Sequence, residues 1–177
     1  MQTSQEWWNG IKNDEQAIIN WLIKQYHGER TAAIRMENML LDESIYLSPA
    51  QCIVLDVISH QEAQHADWIG QLLNNRGVDA ELLTDHEERY WDKTLSGKHS
   101  ADELFAIAAH AEEMRLERIR AIVKDKDARH DIRQIFGLIL CDEEFHARAF
   151  KHNTPNENYE AARANHEAGI MALGLVI

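Results

Sequence analysis

Apolar residues recur every three or four positions along most of the chain, which is the spacing of amphipathic helices. Only two prolines and eight glycines interrupt the 177 residues, so long helices are allowed. No stretch alternates β-branched and polar residues between turn signals, as a strand would. The pattern predicts an all-α fold with four long helices and a shorter fifth one, over residues 14–43, 49–75, 100–126, 131–152 and 157–173.

Capping residues support the starts of two of these helices. Ser48 precedes a proline, which is favoured in the first helical turn. Ser100 and Glu103 form a capping-box pattern at the start of the third helix. Residues 78–98 form a connection, in which we expect a short helix over about 81–94.

The lengths of the connections predict how the helices are arranged. About five residues join the first helix to the second, and a similarly short stretch joins the third to the fourth, so each pair is expected to be an antiparallel hairpin. More than twenty residues separate the hairpins, enough to travel the length of a helix and start again from the other end. We predict a single domain over residues 1–177, with a four-helix bundle over about 14–152, a long crossover, and a C-terminal helix over about 157–173.

Each of the four long helices has a glutamate inside its apolar stripe when its residues are projected at about 100° per residue. In the second and fourth helices a histidine follows the glutamate one turn later, so both side chains share the stripe. One such glutamate alone is commonly explained by a position at the edge of the stripe. The predicted inward-facing set is Glu29, Glu62, His65, Glu112, Glu143 and His146.

The third helix offers two adjacent glutamates, of which only one can face inward. Glu112 lies one turn from Ala108 and Leu116, within the apolar stripe. Glu113 has polar residues four and seven positions later, so it points away from the stripe. Helical geometry alone therefore favours Glu112, and the choice between the two stays open.

Four carboxylates that face one another inside a bundle need counter-charges. Burying one ionised carboxylate costs several kcal/mol, and mutual repulsion adds to that cost. The four stripes contain no set of four lysines or arginines, whereas two divalent cations would balance the charge. Carboxylates with one imidazole per metal suit iron or manganese, with zinc as a substitute in vitro. We therefore predict a two-metal site for iron or manganese.

The ligands are expected at one height in the bundle. Glu29 lies about 15 residues before the end of the first helix and Glu62 about 13 residues into the second, so both are roughly 20 Å from the turn between them. Glu112 and Glu143 give the same distances across the second hairpin. The spacing from Glu29 to Glu62 is 33 residues and that from Glu112 to Glu143 is 31, so the hairpins form a chemical repeat.

A glutamate followed by Glu-x-x-His, repeated once, resembles the ligand pattern of the ferritin-like di-iron carboxylate proteins, which include rubrerythrins and bacterioferritins. The resemblance implies that Glu62 and Glu143 bridge two iron ions, that Glu29 and Glu112 are terminal ligands, and that each of the two histidines binds one ion. It also implies an oxidoreductase that oxidises Fe(II) with dioxygen or peroxide, of the ferroxidase or peroxide-scavenging type.

The chain departs from rubrerythrins at several positions. Where rubrerythrins usually have a second glutamate one turn after the first in the third helix, this chain has Arg115, which lies near the stripe and can pair with a ligand carboxylate. Cys52 and Cys141 form no Cys-x-x-Cys pair, so we expect two core thiols and an external electron donor in place of a rubredoxin-type centre. Tyr26, one turn before Glu29, is expected to be a core tyrosine hydrogen-bonded to a ligand.

Charge and the N-terminal residues limit the partners. The net charge of −12 should repel nucleic acid and anionic membranes and attract cations. The first residues lack the basic and apolar regions of a signal peptide, and the longest apolar run, 168–177, is about half a membrane span. We expect a cytoplasmic protein with no nucleic-acid or membrane partner, which forms a homo-oligomer of two or more chains.

Two alternatives to the ferroxidase or peroxidase-like function stay open. The first is a di-iron oxygenase that acts on a small organic substrate in a cavity beside the metals, which an apolar tunnel to the site would favour. The second is a non-enzymatic helical interaction module, in which the Glu-x-x-His pairs arise by chance. The sequence also leaves open the native metal, the electron donor, iron storage and the size of the oligomer.

Overall fold

The computed structural model describes residues 2–82 and 99–172, with side chains up to residue 168. These residues form helices α1 (Ser4–Ile11), α2 (Glu15–Leu41), α3 (Pro49–Asn74), α4 (Ala101–Lys124), α5 (His130–His152) and α6 (Asn156–Ala172), with a 3-10 helix at Ala80–Leu82. The predicted all-α class is confirmed. The five predicted helices correspond to α2–α6, with ends that differ by two residues at most. The short helix expected over about 81–94 lies almost entirely outside the described residues.

Helix α1 is the element that the hydrophobic pattern did not predict, because it is only eight residues long. Thr3 and Glu6 form a capping box at its start. The buried Trp8 donates a hydrogen bond from Nε1 to Oδ2 of Asp125, at 2.8 Å, just after the end of α4. Lys12 Nζ donates to the same oxygen at 2.9 Å. These contacts hold α1 against the end of the bundle.

The predicted caps of α3 and α4 are confirmed. The Ser48 hydroxyl accepts a hydrogen bond from the backbone N–H of Gln51, whose side chain accepts one from the Ser48 N–H. Ser100 and Glu103 exchange the same pair of bonds. Each exchange satisfies N–H groups that a helix start leaves without partners, which places the first turn of both helices.

Side-chain contacts show that neighbouring helices run in opposite directions. Between α2 and α3, Gly70 lies against the Tyr26 ring near one end, while Met36 and Leu55 share a buried cluster near the other. Between α4 and α5, the rings of Phe105 and Phe150 pack edge to face, with centroids 5.3 Å apart. The short connections predicted both pairings.

Two apolar clusters flank the middle of the bundle. One includes Trp21, Leu22 and Phe136, and the other includes Ile58 and Phe105. Along each of α2–α5 the predicted inward-facing glutamates and histidines lie between the residues of these two clusters, so apolar packing closes the polar centre from both ends. None of the described helices combines the length and apolarity needed to cross a bilayer.

The prediction of two buried core thiols is wrong. Cys141 is exposed, and Cys52 is half-buried. Cys141 lies two positions before Glu143, which is about 200° around the helix, so it faces away when Glu143 faces inward. Cys52 lies three positions before the buried Leu55, at the edge of the buried face of α3.

Candidate metal centre

The six residues predicted to face inward meet in the middle of the bundle. Each of α2–α5 contributes a glutamate, and α3 and α5 each add the histidine one turn later. Five of the six have no exposed surface, and Glu112 is 7% exposed. Isolated ionised groups are not stable at such depth, so the arrangement requires compensation by charge.

The donor atoms of these residues form two overlapping groups. Each group has four residues, and one ligand atom of each residue lies within 4.8 Å of the ligand atoms of the other three. Both groups contain Glu62 and Glu143, and each group has one histidine and one further glutamate. The first group is Glu29, Glu62, His65 and Glu143, and the second is Glu62, Glu112, Glu143 and His146.

Both imidazoles present Nδ1 to the centre. Nδ1 of His65 lies 3.5 Å from Oε1 of Glu143 and 3.8 Å from Oε2 of Glu29. Nδ1 of His146 lies 3.2 Å from Oε1 of Glu62 and 3.7 Å from Oε2 of Glu143. The two oxygens of Glu143 therefore face different histidines, as those of a bridging carboxylate would.

Two residues outside the predicted set, Gln61 and Asp142, orient the two rings. Nε2 of His65 donates to Oδ2 of Asp142 at 3.1 Å, and Nε2 of His146 donates to Oε1 of Gln61 at 3.0 Å. Gln61 Nε2 in turn donates to Oδ1 of Asp142 at 2.9 Å. Because these bonds place the ring protons on Nε2, the Nδ1 lone pairs are available to a metal. Each of the two residues directly precedes the glutamate of a Glu-x-x-His pair, but that position alone does not predict a contact with the histidine of another helix.

The polar atoms at the centre are suited to bind metal ions. Among the described residues, no hydrogen bond of normal geometry involves Oε2 of Glu29, either carboxylate oxygen of Glu62 or Glu143, or Nδ1 of His65 and His146, although ionisable neighbours lie 3.2–3.8 Å from them. Nearly all buried polar atoms in proteins have such a partner, so this many orphaned donor atoms in one place need a ligand. Hard carboxylate oxygens with one imidazole nitrogen per group match the preferences of iron and manganese.

Arg115 lies against the carboxylates, as its position near the stripe predicts. Its Nη2 contacts Oε1 of Glu29, its Nε lies 3.3 Å from Oε1 of Glu143, and its Nη1 lies 3.7 Å from Oε2 of Glu62. The side chain is 19% exposed. One guanidinium cannot balance four ionised carboxylates, so the centre needs further positive charge from bound protons or cations.

Burial raises the pKa of two carboxyl groups in the centre. It raises the pKa of Glu112 well above its ordinary value, and the charges of Glu143 and Glu62 raise it further. Burial and the charge of Glu143 also raise the pKa of Glu62. Burial opposes ionisation of Glu143 too, but Arg115 and the two histidines outweigh it and hold the pKa of Glu143 well below its ordinary value.

The same carboxylates raise the pKa values of the two histidines. Burial disfavours the charged ring of His65, but Glu143 and Glu62 outweigh it and raise the pKa of His65. The pKa of His146 is also raised, since Glu143 and Glu62 outweigh the burial of its ring. In the absence of metal the cluster therefore retains protons that divalent cations would displace.

The structure separates the two adjacent glutamates of α4. Glu112 lies in the second donor group. Glu113 lies on another face, where it accepts hydrogen bonds from the Tyr159 hydroxyl at 2.7 Å and from Lys151 Nζ at 3.3 Å. The Glu113 carboxylate thus contacts α5 and α6.

Tyr26 does not have the expected partner. Its hydroxyl accepts a hydrogen bond from Arg30 Nη1 at 3.3 Å, in place of one to a ligand carboxylate. The ring is buried and packs against Gly70 of α3. The residue belongs to the core, as predicted, but its hydroxyl is turned toward the next turn of its own helix.

Four further histidines, His60, His110, His130 and His152, lie outside the paired stripes, which predicts positions at the surface or beside the ligands. His60, His130 and His152 are exposed. His110 is instead buried against α6, where its ring stacks on Tyr159 and lies 5.3 Å from the ring of His166. The prediction for His110 is wrong because α6 covers this face of α4, and the stripe pattern does not show where α6 packs.

A mainly apolar groove of about 440 Å³ lies between α2 and α4. Small residues line it on both helices, among them Gly28, Ala32 and Ala108. Glu112 and Arg115 also line it, so the groove reaches residues of the centre. A molecule in the groove would contact the second donor group directly.

Comparison of the chain with known protein families, curated proteins and solved structures finds no match in any of the three. The function therefore has to be argued from the chemistry of the site itself.

Proposed function

We propose that this protein is a ferritin-like di-iron carboxylate protein that binds two iron ions and oxidises Fe(II) with dioxygen or peroxide. The observation that carries the proposal is the pair of overlapping donor groups that share Glu62 and Glu143. Two groups with two common carboxylates would together hold two metal ions. Glu29 with His65 would complete one metal position, and Glu112 with His146 the other.

The directions of the helices support a ferritin-like bundle. Gln61 contacts His146 while His65 contacts Asp142, so α3 and α5 run in opposite directions. Because α5 also opposes α4, α3 and α4 run the same way. A chain that leaves α3 at Asn74 must then return to the other end of the bundle before α4 begins at Ala101. The connection predicted over residues 78–98 is long enough for such a crossover.

The residues of the chain prepare the site for cations. Four carboxylates supply the negative charge that two divalent ions neutralise, and the core clusters on both sides limit access of water. Asp142 and Gln61 hold the imidazoles with Nδ1 inward. When bound, two Fe(II) ions supply two electrons, which with two protons reduce dioxygen to hydrogen peroxide or hydrogen peroxide to two water molecules. An external donor would return the iron to Fe(II) for another turnover.

Oxidation of Fe(II) by the purified protein tests this proposal. The protein is loaded anaerobically with two equivalents of Fe(II) and mixed with dissolved dioxygen or with peroxide, and the near-ultraviolet absorption of the ferric product is followed. We expect oxidation well above the rate in protein-free buffer, and its loss in the Glu62→Ala/Glu143→Ala variant. Equal rates with the protein, with the variant and in buffer would overturn the proposal.

The groove between α2 and α4 favours a second candidate function, an oxygenase for a small apolar substrate. In that reaction a substrate C–H bond becomes C–OH with one atom of dioxygen, and the other atom leaves as water with two protons and two electrons from an external donor. Glu112 and Arg115 line the groove, so a substrate there would contact the centre.

A groove-filling variant separates the two candidates. Ala108→Phe narrows the groove while leaving the six donor residues in place. Iron-loaded protein is given toluene as a probe, ascorbate as reductant and isotopically labelled dioxygen. A labelled alcohol from the parent and none from Ala108→Phe would support the oxygenase. No labelled product from the parent, with Fe(II) oxidation intact in both proteins, would leave the ferroxidase or peroxidase-like function.

The number of chains in the proposed homo-oligomer helps to distinguish iron storage from peroxide reduction. Iron storage requires a closed shell of many subunits, whereas peroxide reduction does not. The mass in solution separates these cases, because a shell and a dimer differ by about an order of magnitude. A mass near 20.4 kDa would contradict the expected homo-oligomer.

A further inference from the structure

Arg115 does not contact the two donor groups equally. Its Nε lies 3.3 Å from Oε1 of Glu143, and this is the oxygen that faces Nδ1 of His65 at 3.5 Å. Its Nη2 contacts Glu29, which belongs only to the group of His65. The guanidinium therefore lies at the oxygens of the first donor group.

The second donor group has less contact with this cation. Oε2 of Glu143 and Oε1 of Glu62 face His146, at 3.7 and 3.2 Å, and these are not the oxygens that Arg115 contacts. Arg115 approaches Glu62 only through the other oxygen, at 3.7 Å. A cation that binds beside His146 can therefore use oxygens that Arg115 leaves accessible.

We infer that the two metal positions are unequal: a divalent ion fills the group of His146 first, and an ion entering the group of His65 must displace the Arg115 guanidinium. The inference rests on the proposed metal site but not on its redox chemistry. A guanidinium and a divalent ion cannot share the same carboxylate oxygens, because like charges at contact distance repel strongly in a buried site. The groove that Arg115 lines gives the displaced side chain a place to move.

Titration with Co(II) under anaerobic conditions tests the order of binding, because Co(II) is a spectroscopic probe that needs no oxidant. We expect two steps in the parent protein, with the first tighter than the second. In Arg115→Met, which keeps the length of the side chain and removes the charge, the second step should tighten by at least about tenfold. Arg118→Met is a matched control, since Arg118 lies one turn away over the ring of Trp7.

Histidine variants assign the steps. His65→Ala should lose the weaker step and keep the tighter one, whereas His146→Ala should lose the tighter one. The reverse assignment would overturn the inference. Two steps of equal affinity that Arg115→Met leaves unchanged would also overturn it, while the two-metal site itself would stand. Absence of any Co(II) binding by the parent would overturn the proposed function together with the inference.

A measurement on the parent protein alone covers the case in which Arg115→Met does not fold. Mn(II) is added anaerobically, and its electron paramagnetic resonance spectrum is recorded at one and at two equivalents. We expect the spectrum of isolated Mn(II) at one equivalent and that of a coupled pair only at two. A coupled pair already dominant at one equivalent would contradict sequential filling.

Discussion

His65 and Asp142 form a hydrogen-bonded pair between α3 and α5, with Nε2 of the ring 3.1 Å from Oδ2 of the carboxylate. The ring has no exposed surface, whereas the carboxylate is 26% exposed. The bond fixes the ring proton on Nε2 and directs Nδ1 to Glu29 and Glu143. In metalloproteins such a carboxylate both orients the imidazole and increases its basicity.

Removal of this carboxylate should weaken metal binding without removing a donor atom. We predict that Asp142→Ala lowers the affinity for Co(II) by about 10- to 100-fold. Asp142→Asn should lose less, because the amide oxygen can still accept the bond from His65. Asp56→Asn is the control, since Asp56 pairs with the exposed His60 away from the centre. Equal affinities of Asp142→Ala and Asp56→Asn, by competition with a chelator, would contradict the orienting role.

The adjacent glutamates of α4 should have separable effects. Glu112→Ala removes a donor of the second group, so we predict at least about a tenfold loss of affinity at one metal position. Glu113→Ala should keep both metals, because its carboxylate contacts Tyr159 and Lys151 instead. It should lower the free energy of unfolding by about 1 kcal/mol, a value reduced by the partial exposure of the group. Metal titration and urea denaturation of both variants check this, and a loss of metal in Glu113→Ala alone would reverse the assignment.

The contact that anchors α1 should make stability depend on pH. Lys12, the Asp127 amide and Trp8 outweigh the burial of the Asp125 carboxylate and hold its pKa below the ordinary value of 3.8. Since the pKa is lower in the folded protein, this stabilisation is present above about pH 4 and is lost as the pH falls through the folded pKa.

Substitution of Asp125 should remove that dependence. We predict that Asp125→Asn lowers the free energy of unfolding by about 1 kcal/mol at pH 7, and that its difference from the parent disappears in acid, where the parent carboxyl is also neutral. Thermal unfolding from pH 3 to 7 measures the difference, with the exposed Asp127 changed to Asn as control. A difference that stays constant over this range would show that packing, and not the charge, is responsible.

The centre could be predicted from sequence because burial and chemistry coincide in it. A single glutamate within an apolar stripe can lie at its edge, but four such stripes with two matching Glu-x-x-His pairs leave few arrangements other than a shared interior. Arg115 could be placed by the same projection. The helices themselves were predictable because α2–α5 are long and periodic, with caps such as Ser48 and Ser100 at their starts.

What the sequence did not predict depends on contacts between elements. Asp142 is 26% exposed and lies on the flank of the stripe, and its role comes from a histidine on another helix. The burial of His110 depends on where α6 packs. The partner of the Tyr26 hydroxyl depends on which of several neighbouring polar groups forms a hydrogen bond with it. The short α1 has a capping box but too few residues for a periodic pattern. Periodicity identifies an inward face but not its partner.

The metal content of the reconstituted protein shows whether the centre holds two metal ions. The parent protein is incubated anaerobically with excess Fe(II), freed of unbound metal by gel filtration, and analysed for iron per chain. We expect two iron ions per chain in the parent and in Glu117→Ala/Glu144→Ala, a control that removes two surface partners of Arg120. We expect none above background in Glu62→Ala/Glu143→Ala. A parent protein that retains no more iron than this last variant would contradict the existence of the two-metal site.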